Sequence, residues 1–316
     1  MTSPAATAAA PSATDPLGYA FAVGGAILFS SKSILIKLAY AQGAPTETLL
    51  ALRMLVALPV YLVIMVLLLR RDPSLRARLT PALVLPAMAV GILGYYVSSY
   101  LDFAALNFIT AQYGRLVLFT HPFFVVLFGV LFFGERFDWR IVPGMLVAYG
   151  GIVLLFGWSL FAEPVGLLTG TLLVLAAAVT FAFYQLFAKG RMRQLGTALF
   201  TCIGMSTAAL CAIGQGLLRG GVDAFVQLPP MVWVYGLGLG VFATVLPSFL
   251  MNAAISRIGP RANASTAAFG PLLTIAFAVM FLSEPFTIFH AAGTALVIIG
   301  SVLFSRAERQ ATIRAQ

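Results

Sequence analysis

Apolar residues run along this chain in long, nearly unbroken stretches divided by short polar clusters, with no sustained two-residue alternation. Ten such stretches fall at residues 17–39, 47–69, 82–106, 112–133, 139–158, 166–188, 196–218, 231–256, 263–283 and 286–305. Crossing a bilayer as a helix takes about 20 mostly apolar residues, whereas barrel strands would be shorter and alternating. The pattern therefore predicts an all-α integral membrane protein with ten transmembrane helices.

The stretches also carry one pattern twice. Around Pro122 the chain reads HPFFVVLFGVLFFGERF, and around Pro271 it reads GPLLTIAFAVMFLSEPF. Pro122 and Pro271, Glu135 and Glu284, Gly144 and Gly293, and Gly151 and Gly300 all share an offset of 149. A unit with an odd number of helices turns its second copy upside down in the bilayer, which is how transporters enclose a central site. The expected organisation is a disordered tail over 1–16, a first five-helix repeat over 17–158, an inverted second repeat over 166–305 and a cytoplasmic tail over 306–316. Residues 159–165, with Glu163 and Pro164, join the halves.

Composition narrows the solvent and charge placement narrows the partner. With 61% hydrophobic residues, 9% charged and a mean hydropathy of +0.99 over 316 residues, a water-soluble globule is excluded. The net charge of +9 has the sign that suits an anionic partner such as nucleic acid. If the amino terminus is cytoplasmic, however, the inward connections carry fourteen of the 19 Lys and Arg residues, and outward ones only Lys37 and Arg219. This is the positive-inside bias of a bacterial-type inner membrane, with both termini cytoplasmic and no nucleic-acid partner. The first fifteen residues hold no Lys or Arg and do not fit a signal peptide. Cys202 and Cys211, nine positions apart on one helix, are too distant for a disulfide. No His or Cys cluster suggests a metal, and no cofactor is expected.

The proline-to-glutamate helix ending in Gly134-Glu135-Arg136 or Ser283-Glu284-Pro285, followed by a glycine-spaced helix, resembles the EamA-type members of the drug/metabolite transporter superfamily. The segments YLDFAAL at Tyr100–Leu106 and FLMNAAI at Phe249–Ile255 strengthen the likeness, which covers nearly the whole chain after residue 16. The resemblance implies ten helices, a pseudo-two-fold inverted repeat and a central cavity lined by spans 1, 3, 4, 6, 8 and 9. Within the superfamily, exporters of amino acids, aromatic ones included, are the nearest match. The spelling Ser283-Glu284-Pro285 departs from the usual Gly-Glu pair without disturbing the fold.

Charges inside spans are expensive in hydrocarbon and mark candidate sites. Lys32, Arg53, Asp102 and Arg115 fall in the first four spans, while spans 6 to 10 contain no Asp, Glu, Lys or Arg. Lys32 and Arg115 either pair with Asp102 or contact substrate directly; Arg53 is near enough to the interface to snorkel. Asp102 is a structural ion-pair partner or a proton-coupling group, and His121 a structural or titrating one. Polar stripes run along Tyr95, Ser99 and Asp102, along Thr244, Ser248 and Asn252, and along Thr266, Gly270 and Thr274. Tyr96, Tyr100, Tyr184 and Gln185 lie near them. Pro122 and Pro271, near mid-span, act in packing or as hinges, and Glu135 and Glu284 belong to helix ends at the interface.

The resulting expectation is a secondary transporter exporting a small amphipathic metabolite, such as an amino acid, by alternating access. Lys32 or Arg115 would hold the substrate carboxylate, Asn252 and Ser99 would hydrogen-bond it, and Tyr95, Tyr96 or Tyr184 would contact its side chain. The partners are the small-molecule substrate, membrane lipid and, through Asp102 or His121, protons. A sugar-phosphate or nucleotide-sugar exchanger and a drug exporter of the same superfamily are the alternatives. An enzyme is not expected, because no G-x-S-x-G, H-E-x-x-H or metal-cluster pattern occurs.

Overall fold

The computed structural model describes residues 15–134, 137–162, 165–267 and 269–314, and among these every regular element is a helix. In chain order they are α1 (Pro16–Ser30), α2 (Lys32–Ala41), α3 (Thr46–Arg71), α4 (Ser74–Ala77), α5 (Pro81–Gly91), α6 (Ser98–Ala105), α7 (Ala111–Leu118) and α8 (His121–Phe133). The second half holds α9 (Val142–Ala162), α10 (Leu167–Leu195), α11 (Thr197–Gly220), α12 (Asp223–Val226), α13 (Pro230–Gly240), α14 (Leu246–Ala267), α15 (Gly270–Leu282) and α16 (Ile288–Arg314). Two π-helical turns, Ile92–Val97 and Val241–Val245, join α5 to α6 and α13 to α14. Residues 1–14, Glu135, Arg136, Glu163 and Pro164 lie outside the described residues, as do the side chains of Arg261, Thr266, Arg309 and Arg314.

Joined end to end, these helices give nine segments among the described residues that are long and apolar enough to cross a membrane. They are Pro16–Ala41, Thr46–Arg71, Pro81–Ala105, Ala111–Phe133, Trp139–Phe161, Leu167–Leu195, Thr197–Gly220, Pro230–Ile258 and Ile288–Ala307. The stretch expected at 263–283 takes a different form. Its chain stays helical through α14 to Ala267, and the helix that follows, α15, has only 13 residues. The break falls before Gly270 because Pro271 occupies the first turn of α15, where a missing N–H costs no intrahelical bond. Pro122 does the same in α8. Both prolines thus start helices within the membrane layer instead of bending continuous ones.

Element boundaries repeat as the sequence pattern does. α5 and α13, the two π turns, and α8 and α15 each begin 149 residues apart. α8 and α15 also end alike, on a left-handed residue: Gly134 at φ +68° and Ser283 at φ +53°. Ser283 is the one non-glycine residue with positive φ among those described. Glycine satisfies this helix-ending conformation freely, whereas serine carries a steric cost there.

Small residues let the helices approach closely, the usual means of association where the hydrophobic effect is spent. α9 and α16 meet at two points: a Cβ on Gly144 would lie 2.8 Å from the Gly300 carbonyl oxygen, and one on Gly151 would lie 2.5 Å from that of Gly293. Because the lower number in α9 faces the higher number in α16, the two helices run antiparallel. α3 and α11 do likewise, with Gly216 against Ala51 and Gly220 against Thr48. The main apolar cluster sits around Leu49, Leu50, Met54 and Phe103. Facing outward, Phe161, Leu146 and Val153 are largely exposed, the inverse of a soluble protein and the expected surface against lipid. The chain is a multi-pass membrane protein.

Candidate functional site

Irregularities in the spans gather at one level. α1 gives way to α2 at Ser31, α7 to α8 at Phe119 and Thr120, and α14 to α15 just before Gly270. The π turns interrupt two more spans, a feature that often marks functional sites. A cavity of about 390 Å³ opens here, lined by residues of all these segments, by Phe181 of α10 and by Thr201 and Met205 of α11. That volume lies within the range of small-molecule sites.

Four charged residues face the cavity, Lys32, Arg53, Asp102 and Arg115, of which the first three are buried and Arg115 is partly exposed. Lys32 is the first residue of α2, and its Nζ donates to Asp102 Oδ2 at 2.5 Å. The Arg53 Nε donates to Thr244 Oγ1 at 2.7 Å, and that hydroxyl in turn donates to the Leu239 carbonyl. Arg53 is only 7% exposed, so the reach toward water expected of it does not occur. Its guanidinium lies 5.5 Å from the Phe103 ring centre, and that of Arg115 lies 5.0 Å from Phe29. Lys32 Nζ stands near both rings, at 5.9 Å from Phe29 and 6.0 Å from Phe103.

Tyr95, Ser98, Ser99, Asp102 and His121 line the cavity with these cations. His121 opens α8 and packs edge-on against Phe181 at 5.3 Å; its Nδ1 lies 3.2 Å from the Leu118 carbonyl oxygen, so this nitrogen is the one that donates. Tyr184 sits one layer behind, its hydroxyl 2.5 Å from that of Tyr95. Gly94 makes this possible, since a Cβ there would strike the Tyr184 ring. Tyr96, Gln185, Pro122 and Pro271 are not on the cavity wall, and Tyr100 instead donates to Glu47 at 3.2 Å.

Asn252 is exposed and off the wall, whereas Thr244, Ser248 and Met251 are on it. Helical geometry explains the difference. At about 100° per residue, seven steps return within about 20° of the starting face, while eight steps drift by about 80°. Of the third polar stripe, Gly270 lines the cavity and Thr274 is fully buried, donating to the Ser30 carbonyl at 3.2 Å. Phe29, Arg53, Tyr61, Phe181, Thr201 and Met205 extend the lining beyond the positions expected, so spans 2 and 7 contribute as well. A helix seen in isolation gives no sign of which of its faces will meet the others.

Seven positions of the first half line the cavity together with their counterparts 149 residues later: Lys32 and Phe181, Gly94 and Ala243, Tyr95 and Thr244, Ser98 and Pro247, Ser99 and Ser248, Asp102 and Met251, His121 and Gly270. The frame is shared, but all the charge comes from one side of it. Outside the cavity, Glu284 is 9% exposed and accepts from the backbone N–H groups of Ala111 at 2.7 Å and Gln112 at 3.2 Å, capping α7. At the far end of α1, Asp15 pairs with Arg257 of α14 at 3.1 Å. The hydrogen bond from Arg257 holds the Asp15 carboxyl below its usual value.

Comparison with known proteins agrees with this architecture. The profile of the EamA-like transporter family matches twice, over residues 16–157 and 168–306. The chain is 30% identical to the uncharacterized transporter YcbK of Bacillus subtilis (strain 168) over 286 residues, 87% of this chain and 88% of that one. It is 26% identical to a probable amino-acid metabolite efflux pump of Escherichia coli (strain K12), over 66% of this chain and 74% of the other. It shares the same identity with the aromatic amino acid exporter YddG of Salmonella typhimurium (strain 14028s / SGSC 2262), over 66% and 72%. A solved crystal structure matches with a TM-score of 0.57 at 21% identity, covering 93% of this chain and 98% of that chain, a likeness of fold.

Proposed function

The chain belongs to the EamA-like transporter family, and we propose that it is a secondary exporter of a small amphipathic metabolite, with amino acids as the substrate class. The observation that carries this reading is the cavity of about 390 Å³ whose walls are built from matched positions of both halves and which holds four charged side chains. Lys32 or Arg115 binds the substrate carboxylate, Ser99 hydrogen-bonds it, and Tyr95, backed by Tyr184, contacts the side chain. The names of two relatives, an amino-acid metabolite efflux pump and an aromatic amino acid exporter, support the substrate class.

In the proposed cycle two inverted five-helix repeats, residues 17–158 and 166–305, rock about the cavity and expose it to each side in turn. Each half would supply five membrane-crossing units, the ninth formed by the end of α14 with α15. The antiparallel contacts of α9 with α16 and of α3 with α11 support this inverted arrangement. The excess of Arg and Lys in connections assigned to the inside supports cytoplasmic termini in a bacterial inner membrane. Asp102, paired with Lys32, is the candidate for proton coupling.

Efflux of labelled amino acids from proteoliposomes tests the assignment. Lys32→Ala and Arg115→Ala are each expected to lower transport at least tenfold, the scale of a lost charge-assisted hydrogen bond. Unchanged transport in both variants would remove these residues from the site. A sugar-phosphate exchanger is the second reading, favoured by the presence of two cavity guanidiniums with no partnering carboxylate; counterflow with phosphate esters separates it.

A further inference from the structure

We propose that the cavity recognises a small molecule bearing two separate carboxylates, an acidic amino acid or its amine-free dicarboxylate counterpart, with Arg53 holding one and Arg115 the other. This rests on the reading of the cavity as the transport site. Lys32 and Asp102 neutralise each other. Among the described residues, no carboxylate lies within 4.0 Å of either Arg53 or Arg115. Each arginine also keeps a buried nitrogen, Arg53 Nη1 and Arg115 Nε, that meets no hydrogen-bond acceptor among the described residues. A desolvated charge without a partner is costly, and an occupant that brings anionic oxygen to it is favoured accordingly.

The two guanidiniums stand in different walls. Arg53 lines the cavity, tethered through Nε to Thr244 in the second π turn and lying against Phe103, so its Nη groups are not spent on Thr244. Arg115 lies against Phe29 and beside the first residue of α15. A Cβ on Gly270 would come within 3.3 Å of the Arg115 Nη2, so the glycine leaves room at the guanidinium edge. The positive end of the 13-residue α15 faces the same place and adds to the attraction for an anion. Carried on α3 and α7, each beside its own ring, the two guanidiniums suit two separate carboxylates.

The test titrates the purified wild-type protein with glutamate, succinate, glutamine and glycerol 3-phosphate by calorimetry, and runs the same solutes in counterflow across proteoliposomes. Glutamate and succinate are expected to bind about tenfold or more tightly than glutamine. Arg53→Gln and Arg115→Gln should each bring glutamate down to the level of glutamine, with Arg115→Lys restoring part of the difference. Glutamine binding as tightly as both dicarboxylates would overturn the proposal, as would tighter binding of glycerol 3-phosphate. Both outcomes are read on the wild-type protein and are independent of how the variants fold. Saturable counterflow of neutral amino acids without dicarboxylates would sink this inference alone. Dicarboxylate binding without flux of any solute would keep the site and remove the transport reading.

Discussion

Glu284 Oε1 accepts a hydrogen bond from the backbone N–H of Ala111 at 2.7 Å, across 173 positions of sequence, and so closes the start of a helix in the other half of the chain. The neighbouring oxygen takes the Gln112 N–H, and the Gln112 side chain donates to the Pro285 carbonyl at 3.3 Å. The first N–H groups of a helix have no intrahelical acceptor, and a carboxylate there also meets the positive end of the helix dipole. Glu284→Ala leaves two buried donors unsatisfied and is expected to cost about 1–3 kcal/mol. Glu284→Gln should cost less, since the amide oxygen still accepts. Thermal unfolding in detergent measures both, and a wild-type melting temperature for Glu284→Ala would show that the cap contributes nothing.

The crossing of α9 and α16 makes a sharper demand. Even one added methyl at Gly300 would fall 2.6 Å from the Gly144 carbonyl oxygen and 2.7 Å from the Ala148 Cβ. Gly300→Ala is therefore expected to destabilise by about 1–3 kcal/mol through overpacking. Gly150, one position from the contact glycine Gly151, has nothing within 4 Å of its would-be Cβ, so Gly150→Ala is the matched control and should be neutral. Equal melting temperatures for the two variants would contradict the close approach.

Breaking the Lys32 and Asp102 pair from one side strands the other charge. Lys32→Ala or Asp102→Ala alone is expected to lose about 3–5 kcal/mol. The double variant should recover much of that loss, because neither charge is then left buried. A double-mutant cycle on unfolding would expose simple additivity, and additivity would mean the two groups do not depend on each other.

Asp15 and Arg257 give the protein an exposed latch with a defined acid dependence. Because the folded-state carboxyl titrates below its usual value of 3.8, the pair contributes fully above that value and is lost as pH falls through the lowered one. No change is expected around neutrality. Asp15→Asn should reproduce at neutral pH what acid does to the wild type, seen as faster amide exchange in the first turns of α1. Identical exchange in the variant and the wild type would assign the pair no role, as with many surface ion pairs.

Much of this architecture is legible in the residues themselves. The long apolar runs set the helices, and the 149-residue offset marks positions that later share one cavity wall. Gly144, Gly151, Gly293 and Gly300 stand out as packing residues by their spacing, though their pairing across the halves does not. What the sequence hides is direction around and between helices. Tyr95 reaches the cavity and Tyr96 does not, because neighbours on a helix point about 100° apart. Arg53 lies near enough to a helix end to reach water, yet its face turns toward Thr244 and Phe103. The role of Glu284 depends on a helix end contributed by a distant segment, which no local pattern encodes.

One half of a matched frame supplies Lys32, Arg53, Asp102 and Arg115, while Phe181, Cys202, Met251 and Ala264 hold the places 149 residues on in the other. Were the halves chemically identical, rocking from one access state to the other would exchange two equal conformations, and neither orientation would be preferred at rest. Fixing the charged residues of the cavity wall to a single half removes that degeneracy. In the proposed cycle the unloaded protein would then idle toward one compartment, and a voltage across the bilayer would act on the rocking step through the charges that ride with that half.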